Sequence, residues 1–150
     1  MECFSDIWSE LLAPYYNGDL FKNNNIINFG TWGDNILLLL DNGKAYIAIE
    51  DGTDSIHFSC INDNYPELKN QQITDLSITA FGVSKLSVIL GNGKAYYLDE
   101  SNNLICINDQ YEELKYEQII QIASSLILLK NGTLYNIDSN NNLECINNTF

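Results

Sequence analysis

Three stretches of this chain repeat one another, and that repetition restricts the fold more than any other feature. The first reads ILLLLDNGKAYIAIEDG and ends in FSCIND; the second reads LSVILGNGKAYYLDESNNLICIND; the third reads LILLKNGTLYNIDSNNNLECINN. Gly43, Gly93 and Gly132 correspond, as do Tyr46, Tyr96 and Tyr135, and Cys60, Cys106 and Cys145, at spacings of 39 to 50 residues. A unit of that size cannot bury its apolar face alone and stacks on its neighbours. A second motif follows each Cys: CINDNYPELK at Cys60–Lys69 and CINDQYEELK at Cys106–Lys115. The N-terminal CFSDIWSELL, Cys3–Leu12, keeps Cys3, Asp6, Trp8, Glu10 and Leu11 in that register, and the motif starts again as CINN after Cys145. The chain therefore reads as one domain with a repeat tail at 1–12, an insertion at 13–25 and units at about 26–69, 70–115 and 116–150.

Each unit carries Asn-Gly between apolar runs, at Asn42-Gly43, Asn92-Gly93 and Asn131-Gly132. Asn-Gly accepts positive φ at both central positions, which predicts type I′ hairpins. Strands are expected before the turns (Ile36–Leu40, Leu86–Leu90, Leu126–Leu129) and after them (Ala45–Ile49, Ala95–Leu98, Leu134–Ile137). Polar loops at Glu50–Asp54, Asp99–Asn103 and Asp138–Asn142 lead to further strands at Ile56–Ile61, Leu104–Ile107 and Leu143–Ile146. Upstream segments Ile26–Phe29, Leu76–Phe81 and Ile119–Ala123 add a strand to each unit. Helix is confined to Asp6–Leu12 and Glu112–Ile120, where the shared register favours a linker. The fold class expected is all-β, an incomplete propeller of about three antiparallel blades.

At IIQIASSLILLKNGTLYNIDSNNNL (residues 119–143) and ITDLSITAFGVSKLSVILGNGKAYYLDESNNL (residues 73–104) the chain resembles the RCC1-like β-propeller family, with a looser match at residues 26–49. The Cys-Gly-x-x-His element of that family is missing, since Phe81-Gly82 keeps only the Gly and Ser124-Ser125 neither. Another propeller family or a stack of β-meanders fits the same pattern. The resemblance implies a protein-binding platform, the role its members play in nucleotide exchange on a small GTPase, chromatin docking or inhibition of β-lactamase. It carries over no site residue.

Catalytic groups are sparse. His57 is the one histidine, and it reads as a half-buried strand residue. Zinc needs three or four convergent ligands, and no Cys-x-x-Cys occurs. The repeat-fixed cysteines read as small core residues with free thiols. Glu50-Asp51-Gly52-Thr53-Asp54 lacks the alternating carboxylates and distal Glu of a calcium loop. Neither a phosphate-cradling Gly-rich loop nor a serine elbow is present. The chain reads as non-enzymatic, with no cofactor and no metal.

Charge points to the partner. Twenty carboxylates face seven lysines and no arginine, a net charge of −13. Such a field repels nucleic acid and attracts basic protein surfaces, and the longest apolar run, Ile36–Leu40, is far too short to span a bilayer, so no membrane partner is expected. Repetition places Asp51, Asp54, Asp99, Glu100 and Asp138 after equivalent strands, so they are expected on one rim as partner-binding residues. Glu112, Glu113 and Glu117 form a second acidic group. Trp32, Tyr15 and Tyr16, in segments without repeat equivalents, are the expected aromatic anchors. The leading expectation is an acidic inhibitor of the phage or mobile-element anti-CRISPR kind, blocking the basic nucleic-acid channel of an RNA-guided nuclease. The alternatives are an RCC1-like scaffold or effector fragment that docks a host protein, and a lectin-like propeller. Asp6 and Glu10 interrupt the N-terminus and no basic region precedes an apolar run, so no secretory leader is read and the cytoplasm is the expected compartment. Three blades leave apolar strands uncovered, which predicts either a homo-oligomer or capping by Tyr15–Asn25.

Overall fold

The computed structural model describes residues 22–50, 56–79 and 85–147. Tyr15, Tyr16, Asp51, Asp54, Phe81, the repeat tail and nearly all of the 13–25 insertion lie outside the described residues. The protein is all-β. Among the described residues, twelve strands form three antiparallel four-stranded meanders. The first sheet holds β1 (Ile26–Trp32), β2 (Asn35–Leu40), β3 (Ala45–Glu50) and β4 (Ile56–Cys60). The second holds β5 (Ile73–Thr79), β6 (Lys85–Leu90), β7 (Ala95–Leu98) and β8 (Leu104–Cys106). The third holds β9 (Ile119–Ala123), β10 (Leu126–Leu129), β11 (Leu134–Ile137) and β12 (Leu143–Cys145). The chain packs as two compact units, Met1–Ile73 and Thr74–Phe150. The first contains the first sheet, the second the other two.

The central hairpins depart from the expected type I′ turn. Positive φ occurs at Gly43 (79°), Gly93 (85°) and Gly132 (89°) but not at the preceding Asn. Gly43 N–H donates to Leu40 O at 3.0 Å, and Leu40 N–H donates to Lys44 O at 2.9 Å. That is a three-residue loop, a type I turn closed by a left-handed glycine in a G1 bulge. Asn42, Asn92 and Asn131 act through their side chains instead, each Oδ1 accepting the backbone N–H of Lys44, Lys94 or Thr133.

The outer strands also end earlier than the apolar pattern suggests. Ile61 and Ile107 do not continue β4 and β8. A four-residue helix α1 (Ile61–Asn64) and a 3-10 turn (Asn108–Gln110) take over there. The cause is the next residue. Asn108 Oδ1 accepts the N–H of Ala95 at 2.9 Å, while its Nδ2 donates to the carbonyls of Gly93 (3.5 Å), Leu114 (3.3 Å) and Glu117 (3.0 Å). Asn62 repeats this, accepting from Ala45 N–H at 2.9 Å and donating to Gly43 O (3.1 Å) and Gln71 O (2.9 Å). Both asparagines are buried. Each fastens its hairpin turn to the linker that leads into the next sheet.

The linker then closes onto the turn. Ile119 N–H donates to Gly93 O and Ile73 N–H to Gly43 O, both at 2.9 Å. In the second unit this delivers β9 onto the second sheet. Ile89, Ala95, Ile107 and Leu114 meet Ile119, Ile122, Ile127, Leu129 and Ile137 in one buried cluster, flanked by Tyr97, Tyr111, Tyr135 and Leu143. In the first unit Leu37–Leu40, Ala45, Ile61 and Leu68 are buried.

Gly93 faces two demands at once. Its φ is positive, and a Cβ there would sit 2.5 Å from Gln118 Cβ and 2.7 Å from Gln118 Cα. Gly132 has the same backbone conformation, but among the described residues no atom lies within 4 Å of a Cβ position. Gly132→Ala should therefore cost only the left-handed penalty, about 1–2 kcal/mol. Gly93→Ala should add an overpacking cost of about 1–3 kcal/mol. Urea denaturation of the two variants checks the difference; equal losses would contradict the close approach of the linker.

Candidate interaction surface

The acidic loops of the second unit share a pattern, Asp-x-x-Asn-Asn, that folds each around its own carboxylate. Asp99 Oδ1 accepts the N–H groups of Ser101 and Asn103, both at 2.8 Å, and Asp99 Oδ2 accepts Asn103 Nδ2 at 3.1 Å. Asp138 binds Asn140, Asn142 and the Asn142 amide at the same distances. Asn102 (φ 60°) and Asn141 (φ 63°) turn the chain through the left-handed region, which asparagine tolerates better than most residues. The hydrogen bond from the Asn103 backbone, reinforced by the Asn103 side chain, Ser101 and the Lys85 charge, holds Asp99 below the usual carboxylate range despite some desolvation. Asn142 backbone and side chain do the same for Asp138. Glu100 is exposed at the tip of its loop.

Tyrosines tie these loops into the stacked sheets. Tyr111, on the linker after β8, donates its hydroxyl to Asn141 O at 3.2 Å. Burial pushes its phenol up, and the nearby Tyr97 and Asp138 add to the shift. Lys85 Nζ stands 4.6 Å from the centre of the Tyr97 ring, and Gln110 Nε2 donates to the Tyr97 hydroxyl at 3.1 Å. The linker of one repeat thus reaches the acidic loop of the next.

The second acidic group divides by role. Glu117 accepts from Asn131 Nδ2 at 3.2 Å and ties the linker to the third turn. Glu112 pairs with Lys115 at 3.3 Å, an exposed contact worth about 0–1 kcal/mol. Glu113 is exposed.

The expected aromatic anchors fare differently. Trp32 is the last residue of β1, paired with Asn35 across the tip of the β1–β2 hairpin and half-buried. Tyr116 is 89% exposed and went unnoticed in the sequence, because nothing in its repeat register distinguishes it. Gln118, Lys130 and Asn131 join Tyr116 and Glu117 around a shallow concavity. His57 is exposed in β4 opposite Ile49, not half-buried. Cys60, Cys106 and Cys145 are half-buried free thiols at the ends of β4, β8 and β12, and burial pushes the Cys106 thiol up. Among the described residues no group of three or more His, Cys, Asp or Glu could hold a metal ion, and no helix is long and apolar enough to cross a membrane.

With this geometry in hand, a scan of the chain against protein-family models finds no match, and neither does a search of curated proteins.

The carboxylate shifts make a pH prediction. A carboxylate whose folded pKa is lowered stabilises its loop above its unfolded value, about 3.9 for Asp, and that stability is lost as pH falls through the lower folded value. In an NMR pH titration the side-chain carboxyl carbons of Asp99 and Asp138 should titrate below 3.9, the reference value, with the Ser101 and Asn140 amide resonances moving in step. Titration at or above the reference value would contradict the loop geometry.

Proposed function

We propose that this chain is a non-enzymatic, acidic protein-binding module. Its three sheets would be blades of an incomplete propeller similar to the RCC1-like family, and its target a basic protein surface. The sharpest form of the proposal is an anti-CRISPR-type inhibitor in the cytoplasm that occupies the cationic nucleic-acid channel of an RNA-guided nuclease. The observation that carries this reading is the pair of loops at Asp99 and Asp138. On equivalent positions of two stacked sheets, each is held in shape by five hydrogen bonds. Preformed loops lose little entropy on docking, and their depressed pKa values keep the charge in place. The net charge of −13 supplies the long-range field. It favours encounter with basic surfaces and weakens as salt rises. Tyr116 joins Trp32, Tyr15 and Tyr16 as a source of apolar contact.

The test is charge removal with shape preserved. Asp99→Asn and Asp138→Asn keep an Oδ1 that accepts the two backbone N–H groups, and Asn103 and Asn142 can turn their amides to present oxygen. Combined with Glu100→Gln, these changes remove three charges. Binding to a guide-loaded RNA-guided nuclease should weaken severalfold at low salt. Interferometry across a salt series measures both the loss and the salt slope. If the neutralised variant binds as tightly as the parent, the electrostatic reading is wrong and an RCC1-like scaffold that docks through its aromatic residues replaces it.

A further inference from the structure

The three hairpin turns share one reactive dipeptide and differ in how firmly its glycine is held. In Asn-Gly no side chain on the glycine hinders its nitrogen from reaching the asparagine Cγ. The starting geometry is the same in all three turns. Asn42, Asn92 and Asn131 are exposed, and each Oδ1 accepts the N–H two residues on, of Lys44, Lys94 or Thr133. Gly43, Gly93 and Gly132 donate their N–H groups to the carbonyls of Leu40, Leu90 and Leu129 at 2.9 or 3.0 Å. The surroundings then diverge. Gly43 and Gly93 are buried. Gly43 O accepts the Ile73 N–H (2.9 Å) and Asn62 Nδ2 (3.1 Å), and Gly93 O accepts the Ile119 N–H (2.9 Å) and Asn108 Nδ2 (3.5 Å). Gln72 and Gln118 press on these two glycines. Gly132 is exposed, and among the described residues no atom lies within 4 Å of its Cβ position. Its carbonyl accepts the amide of an exposed side chain, Asn147, at 2.7 Å.

We propose that Asn131 is a self-modification site that deamidates ahead of Asn42 and Asn92. The Gly132 nitrogen gives its proton to solvent base and attacks Asn131 Cγ. The N–Cγ bond forms, the Cγ–Nδ2 bond breaks, and the leaving nitrogen takes up a proton and departs as ammonia. Water then opens the cyclic imide at either carbonyl, leaving aspartate or its β-linked isomer and one further negative charge. Nothing is oxidised or reduced. The attack needs the Gly132 N–H to leave Leu129 O and its peptide plane to swing, which is a local opening. At Gly43 and Gly93 the same swing must also break two carbonyl hydrogen bonds and displace a packed glutamine. At Gly132 it disturbs one bond to an exposed side chain. The product matters because of what Asn131 holds. Its Nδ2 donates to Glu117 Oε2 at 3.2 Å, and the adjacent Lys130 N–H donates to Gln118 O at 2.8 Å. A carboxylate at position 131 has no donor for Glu117 and repels it. Deamidation therefore loosens the linker from the third turn, a change independent of the basic partner.

Timed incubation of the full chain in mildly alkaline buffer, followed by digestion after lysine and mass spectrometry, tests the ranking. The digestion puts the three turn pairs on separate peptides, apart also from Asn17-Gly18, which lies outside the described residues. The amide-to-acid mass gain at Asn131 should appear severalfold sooner than at Asn42 or Asn92. In concentrated urea the three rates should converge, because the structure that separates them is gone. Equal rates in the folded chain, or a lead for Asn131 that survives in urea, would overturn the site. Asn131→Asp reproduces one product and tests the consequence. Hydrogen exchange at the Lys130 N–H should quicken severalfold in this variant. Adding Glu117→Gln, which supplies a donor to the new carboxylate, should slow it again. A Lys130 amide that exchanges as in wild type, or that Glu117→Gln fails to slow, would overturn the loosening.

Discussion

The structure depends on one asparagine side chain two residues after the repeated cysteine, buried as Asn62 and Asn108 in the first two repeats. A strand that ends at Cys106 leaves the Ala95 N–H without a strand partner, and the Gly93 carbonyl beside it also accepts the Ile119 N–H. The linker adds the carbonyls of Leu114 and Glu117. The Asn108 amide meets all four, with one acceptor and a donor group shared among three carbonyls. No apolar residue could do this, and aspartate would set its oxygens against three carbonyls. Because the linker is held there, Ile119 reaches Gly93 and β9 falls onto the second sheet. The glycine requirement follows, since the linker presses on the turn where a side chain would be.

Local polar chemistry thus sets the stacking, and apolar burial supplies most of its strength. Each fully buried isoleucine of the cluster contributes about 1.5–3 kcal/mol, against about 1 kcal/mol for an ordinary hydrogen bond. The asparagine matters for a different reason. An unmet buried donor or acceptor costs about 1–3 kcal/mol, so it decides which register the apolar faces can adopt. The acidic loops use the same economy of means. Asp99 and Asp138 spend their oxygens on their own loops and still carry a full charge outward. A chain with a net charge of −13 repels itself, and loops that fix where those charges sit make the field a defined shape.

Much of the architecture was legible because hydrophobic period and repeat register agree. All twelve strands fall where the apolar runs stand, within a residue or two at most ends. β5 begins at Ile73, three residues before the expected Leu76, because the Ile73 N–H bonds to Gly43. The turn type was misread because Asn-Gly signals positive φ by preference, while here the asparagine side chain caps the turn and leaves that conformation to glycine alone. Asn62 and Asn108 were overlooked although CIN recurs. With 21 asparagines in the chain, one more looks like composition rather than design. The charge was legible as a total. The inward use of Asp99 and Asp138 was not, because it depends on backbone N–H groups that only the folded loop brings together. Tyr116 needed the three-dimensional surface to be seen at all.

The central claim is that the asparagine amide, rather than its neighbourhood, holds one repeat to the next. Asn108→Ala and Asn147→Ala make the same chemical change at equivalent positions of the second unit, one buried among four partners and one exposed with two. Urea denaturation at dilute concentration compares them directly. Asn108→Ala should lose about 2–4 kcal/mol as buried groups are left unmet, and Asn147→Ala less than about 1 kcal/mol because water replaces its partners. Equal losses at the two positions, or a stable Asn108→Ala protein, would contradict the account.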